Sequence, residues 1–284
     1  MALDVYLGNL TGHIGIMFII IVIPVSMAAG DELRSMWKDR DDCPNMLVVL
    51  IGMAAILGFS CAPVFWKEYP PNCPVGKTGW TLFGFGIATG AAFVYEMVRY
   101  SGNEHGVIGA RLGRTLLIFG YVGLLFSFLS HVRLFGPNQL GMFAFFSTCA
   151  IPKFSDAAAY FAGKSLGRNK MTPKLSPGKT VEGTIGGLIG GIGAALFVFY
   201  VIAPNVFGVS EPFRWWAVIL LGLALSVAGI IGDLAESLLK RESETKDSSS
   251  WLPGLGGILD IVDSIMVAVP VAYAFWVSEI LIEN

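Results

Sequence analysis

Residues 215–264 read WWAVILLGLALSVAGIIGDLAESLLKRESETKDSSSWLPGLGGILDIVDS. The run from Trp215 to Gly232 carries no charge, and Asp233 closes it. A second apolar run, ILDIVDSIMVAVPVAYAFW, starts at Ile258 and holds Asp260 and Asp263 in its first turns. About 20 apolar residues make a helix long enough to cross a bilayer. Two such runs around one charged connection therefore predict a pair of antiparallel membrane helices. An ionisable group at membrane depth costs about 2.5–3.5 kcal/mol on insertion scales, so Asp233, Asp260 and Asp263 mark a functional site.

The rest of the chain fits the same solvent. Of its 284 residues, 54% are hydrophobic and 14% are charged, and the mean hydropathy is +0.67. Soluble domains carry about 25% charged residues. The expected fold is all-α, a polytopic membrane helix bundle of about eight transmembrane helices. The spans fall near 12–29, 46–65, 80–98, 113–130, 139–163, 181–203, 213–239 and 255–279. The fifth contains Pro152, Lys153 and Asp156, and if it is two short helices the count becomes nine. The division that follows is 1–140, a membrane-spanning region of spans one to four, and 141–284, a catalytic membrane region. Cys43, Cys61, Cys73 and Cys149 show no CxxC spacing, so neither a disulfide nor a zinc site is expected. The first eleven residues hold no Lys or Arg, so a cleaved signal peptide is not expected either.

Charge placement orients the spans. Arg34, Lys38, Arg40, Arg99, Arg111, Arg114, Lys164, Arg168, Lys170, Lys174, Lys179, Lys240, Arg241 and Lys246 fall on one side, fourteen in all. The opposite side has four, Lys67, Lys77, Arg133 and Arg214, while Lys153 lies within a span. Loops rich in Lys and Arg stay in the cytoplasm. The reading is an integral protein of a bacterial inner membrane with its polar site facing the cytoplasm.

The first half carries little chemistry. Glu96 and Arg99 are spaced for a structural i,i+3 pair. His13, His105 and His131 sit at span edges without ligand spacing, and an interfacial position is their default. The run TIGGLIGGIGAA places Gly186 with Gly190 and Gly187 with Gly191, the small-residue face of close helix packing. Such faces could pack within one chain or between two, so a homodimer stays open.

Three elements of the second half concentrate polar side chains: Ser155-Asp156-Ala157, the loop GKSLGRNKMTPKLSPGKTVEG at 163–183, and the opening stretch. Asp260 and Asp263 share a helix face. With Asp233, and Asp156 as a fourth candidate, they form an all-oxygen set that suits Mg²⁺ beside a phosphate substrate. Lys164, Arg168, Lys170 and Lys179 supply cations for phosphates, and Ser176, Thr180 and the free N–H groups of the following helix start add donors. The loop is not a Walker A motif, because the GxxxxGK[ST] spacing is not met.

At these residues the chain resembles the phosphatidate cytidylyltransferase (CDP-diacylglycerol synthase) family. Ser237, Lys240, Arg241, Lys246, Asp247, Pro253, Gly256, Gly257, Asp260 and Asp263 stand in register with the family pattern, preceded by Gly-Asp-x-x-Glu-Ser from Gly232. The Ser-Asp-Ala element and a Lys-x-Ser-Pro-Lys-Lys-Thr-like loop at 174–180 also appear, here with Gly178 at the first Lys of the pair. The resemblance covers about residues 150–270. It implies CTP and phosphatidic acid as substrates at the bilayer, Mg²⁺ as cofactor with a second cation such as K⁺ as an option, and no nucleic-acid partner. By the same resemblance Asp233, Asp260, Asp263 and Lys246 would be catalytic, and Lys174, Lys240, Arg241 and Ser155 would join the substrate-binding set. Leu255 and Ile261 stand where the family has His and Arg. Two other readings remain: a CTP-dependent transferase or kinase acting on a polyprenyl or prenyl-ether lipid, and a cation-coupled transporter. The transporter would show internal repeats, and the charged motifs occur once.

Overall fold

A computed structural model describes residues 16–66, 70, 72–102, 106–244 and 256–283. Among them helices occupy each of the eight apolar intervals. They are α1 (Ile16–Ser35), α2 (Met46–Cys61), α3 (Gly76–Arg99), α4 (Val107–Arg133), α5 (Asn138–Leu166), α6 (Val181–Phe207), α7 (Trp215–Glu242) and α8 (Ile258–Val277). Five of these, α3, α4, α6, α7 and α8, are long and apolar enough to cross a membrane. This is an integral membrane protein, almost wholly helical. A two-stranded hairpin, β1 (Lys170–Thr172) with β2 (Ser176–Thr180), is an addition that apolar periodicity did not foretell.

Local chemistry sets several helix ends. The Asn45 side chain accepts the Leu47 and Val48 N–H groups and caps α2. Thr180 caps α6 in the same way, accepting Gly183 N–H at 3.1 Å. Gly208, at φ 65°, ends α6 in a left-handed conformation that glycine adopts without strain. Helix α5 runs unbroken through Pro152, so span five is one helix.

The chain divides into two compact units, Met1–His131 with Thr245–Ile261 and Val132–Glu244 with Val262–Asn284. In the first unit Trp37, Met53, Ile56, Leu57 and Phe119 are buried. Gly52 leaves room for the Phe119 ring, which a Cβ there would strike. One expectation is corrected. Glu96 is buried and pairs with Arg111 of the next helix at 3.3 Å, whereas Arg99 lies on the exposed face. His131, near the end of its span, is also buried and shares a 2.9 Å hydrogen bond with Thr81. In both cases a neighbouring helix supplies the partner, because a buried polar group needs one and local spacing did not provide it. Glu32 likewise accepts the Leu259 N–H at 2.8 Å, at the first turn of α8.

In the second unit α5 and α6 pack closely through small residues. A Cβ at Gly187 would stand 2.9 Å from the Ala159 methyl and 3.1 Å from the Ser155 carbonyl, so only glycine lets the helices approach this far. The glycine face therefore packs within one chain here. At one end of the unit Phe143, Phe199, Phe213 and Trp276 form an aromatic cluster, with Phe199 and Phe213 centroids 4.8 Å apart. The polar groups collect at the other end of the same helices.

Candidate active site

A cavity of about 600 Å³ opens in the second unit between α5, β2, α6 and α7. Asp156, Tyr160 and Lys164 reach it from α5 at spacings of four residues, which stacks them on one helix face. Ser176, Lys179 and Thr180 reach it from β2, and Asp233 from α7. The Lys164 ammonium lies 5.8 Å from the Tyr160 ring centroid, a cation–π contact on the wall.

The hairpin holds this wall in place. Lys170 pairs with Thr180 and Thr172 with Ser176 in antiparallel register. The strand then passes directly into α6, where Val181 N–H donates to the Asn169 carbonyl at 2.9 Å. Glu182 accepts the backbone N–H groups of Arg168 and Asn169 and the Asn169 side-chain amide, which pins the approach to β1. Arg241 Nε donates to the Leu175 carbonyl at 3.3 Å, which ties the hairpin turn to the end of α7.

Asp156 and Asp233 stand on the cavity wall, and Asp263 of α8 is linked to Asp156 through the Lys153 ammonium. Gly232 makes part of this approach possible: a Cβ there would collide with the Asp263 carbonyl oxygen. Two ammonium groups stand among the aspartates. Lys179 Nζ is 2.8 Å from Asp233, and Lys153 Nζ is 3.3 Å from Asp263 and 3.7 Å from Asp156. At an effective dielectric of 20, unit charges 4 Å apart interact by about 4 kcal/mol, so each pairing offsets much of the desolvation of its members. Among the described residues no three His, Cys, Asp or Glu side chains converge as a ready metal cage. The donor chemistry, carboxylates without imidazole or thiolate, nevertheless suits a hard divalent cation.

Six of the expected residues thus share one wall: Asp156, Lys164, Ser176, Lys179, Thr180 and Asp233. Asp263 joins them through Lys153. Arg168, Lys170 and Lys174 are exposed on the hairpin and its approach. Lys240 pairs with the buried Glu236 at 3.1 Å. Ser155 is buried and donates to the Gly187 carbonyl at 2.9 Å, which places it in the α5–α6 contact and outside the cavity wall. Asp260 accepts the Gly257 N–H at 2.6 Å in the first turn of α8, a capping position supported by Gly256 at φ 79°. Lys246 and Leu255 lie outside the described residues. Lys153, Tyr160, Glu182 and Glu236 were not among the expected site residues. A lysine inside an apolar span, three residues before Asp156, was the signal for the first.

Helices apolar enough to span a bilayer, with a cavity walled by aspartates and lysines among them, define an integral membrane protein with a charged binding site. Comparison with known proteins narrows this class. The sequence profile of the cytidylyltransferase family matches residues 2–278, and the chain belongs to that family. It is 32% identical over 251 residues to the phosphatidate cytidylyltransferase of Chlamydia pneumoniae, covering 86% of this chain and 77% of that one. It is 33% identical over 240 residues to the Brucella suis protein of the same name, covering 71% and 85%. Similarity to the Bacillus subtilis phosphatidate cytidylyltransferase reaches 40% over 153 residues, 54% of each chain.

Proposed function

We propose that this protein transfers CMP from CTP to phosphatidic acid, giving CDP-diacylglycerol and pyrophosphate for phospholipid synthesis. Family membership and relatives named for this reaction support the reading. The observation that carries it is the cavity wall, where Lys164, Lys179 and Thr180 face the same space as Asp156 and Asp233. Both substrates are anions, and bringing them together needs fixed positive charge.

The phosphate monoester oxygen of phosphatidic acid attacks the α-phosphorus of CTP. A new P–O bond forms as the α–β bridging bond breaks, and pyrophosphate leaves with the electron pair. A monoester dianion is already a competent nucleophile, so no protein base has to remove a proton. That accommodates Leu255 in place of a family histidine. Lys164 and Lys179 bind and orient phosphate oxygens, with Ser176 and Thr180 as neutral donors. Arg168, Lys170, Lys174 and Arg241, exposed on the hairpin, its approach and the end of α7, add positive charge, and Lys246 joins the cationic set from the sequence pattern alone. Asp156, Asp233 and Asp263 would hold Mg²⁺, which supplies charge neutralisation on the transferring phosphoryl group. Asp260 enters this set from the sequence pattern alone.

The positive-inside count supports a cavity facing the cytoplasm, and the bacterial relatives support an inner-membrane location. It also supports eight membrane crossings, with α1, α2 and α5 joining the five apolar spans. The test is purified protein in detergent with radiolabelled CTP, phosphatidic acid and Mg²⁺. Labelled CDP-diacylglycerol and an equal amount of pyrophosphate are expected. Folded protein that makes neither, or that labels a polyprenyl phosphate instead, sinks the assignment.

A further inference from the structure

We propose that Glu182 is a positioning residue for CTP: it clamps the open end of the β1–β2 hairpin and so sets where Lys179 and Thr180 meet the cavity. The inference rests on the reading that this cavity binds CTP.

Glu182 is the only acid in the segment 163–183, against five Lys or Arg. Acting through charge alone, it would repel an anionic substrate. Its hydrogen bonds give it another task. Oε2 accepts the Arg168 N–H at 3.1 Å, both oxygens lie 3.2 Å from the Asn169 backbone nitrogen, and Oε1 accepts the Asn169 side-chain amide at 2.7 Å. Asn169 is held from its other side too, because its carbonyl accepts the Val181 N–H at 2.9 Å. Asn169 precedes β1 and Val181 follows β2, so these bonds close the hairpin where its strands would otherwise part. Gly167 begins the same clamped segment, and a Cβ there would stand 2.9 Å from Thr180 Oγ1. The segment that Glu182 holds is therefore packed on a residue of the cavity wall.

The hairpin needs such a clamp. A two-stranded hairpin is at best marginally stable by itself. This one pairs Lys170 with Thr180 and Thr172 with Ser176, and its register shifts between the two pairs. Its turn is tied to α7 by the Arg241 Nε bond to the Leu175 carbonyl, at 3.3 Å. Released at the open end, the strands can slide, and Lys179 and Thr180 move with them. Neutralising an acid beside an anion site should by Coulomb attraction alone tighten CTP binding. Loss of the clamp should weaken it. The two effects have opposite signs, so the role can be measured.

The test determines KM for CTP and kcat with phosphatidic acid in detergent, and amide hydrogen exchange on the same protein. Glu182→Asp keeps the charge and is one methylene too short to hold Asn169. Its KM for CTP should rise about tenfold, with kcat little changed. Glu182→Gln loses the charge but keeps the reach and one acceptor oxygen, and it should recover most of that loss. The Arg168 and Asn169 amides should be protected in wild type and exchange faster in Glu182→Asp, while amides in the middle of α6 stay protected. Wild-type KM in Glu182→Asp, a KM below wild type in Glu182→Gln, or a loss confined to kcat overturns the proposal and leaves the function reading intact. Unprotected Arg168 and Asn169 amides in wild type overturn it even if Glu182→Asp does not fold. A wild-type chain that turns over no CTP overturns both, a distinct result.

Discussion

The two ends of the second unit are built on the same helices and meet opposite demands. At one end Phe143, Phe199, Phe213 and Trp276 pack ring against ring, with Phe143 and Phe199 centroids 4.9 Å apart. At the other, Asp156, Asp233 and Asp263 are held by Lys153 and Lys179. Phe143 and Asp156 belong to one helix and stand about 20 Å apart along it. The aromatic end needs shape and volume, and many small adjustments satisfy it. The charged end needs a particular partner for each group, because a partly buried charge left unpaired loses hydration that nothing replaces. The lesson is a division of labour. The rings hold the helices together, and the site depends on how closely their opposite ends approach.

Four substitutions test that division, in descending order of effect on turnover. Asp233→Asn removes a proposed ligand and the partner of Lys179, and CTP turnover should drop about 10³-fold, with helicity by circular dichroism unchanged. Retained turnover would move the chemistry away from this end. Gly232→Val forces a side chain against the Asp263 carbonyl. It should cost about 1–3 kcal/mol of stability, and about 100-fold in turnover if a 1 Å displacement of the carboxylates follows. Lys179→Met should act mainly on binding, raising KM for CTP by about 10–100-fold, the worth of a charged hydrogen bond of about 1.5–3 kcal/mol. A change confined to kcat would instead make Lys179 a transition-state contact. Phe199→Ala lies at the aromatic end and should lower the melting temperature through a loss of about 3–5 kcal/mol, with KM for CTP unchanged in the protein that remains folded. A shifted KM would show that the two ends are coupled.

Much of this was legible in the sequence. Each of the eight apolar intervals holds a helix, because backbone polar groups removed from water must be satisfied within their own segment. The motif from Lys174 to Thr180 delivered Ser176, Lys179 and Thr180 to the cavity, since short-range spacing sets a strand followed by a capped helix. The pairings between helices were less legible. Glu96 has Arg99 at suitable spacing and yet binds Arg111, because the burial of its face was settled by packing. Ser155 and Asp260 match the family pattern, and their hydrogen bonds go to Gly187 and Gly257.

The sequence by itself determined a membrane-spanning helical protein and its family, with carboxylates and lysines concentrated in the second half. These follow from hydropathy and ordered motifs, which are properties of the chain read in one dimension. Only the tertiary structure decided that Lys153 lies between Asp156 and Asp263, and that Gly232 lets the Asp233 helix close on Asp263. Those contacts join residues far apart in the chain. They are set by the close packing of helix backbones, which local spacing does not encode.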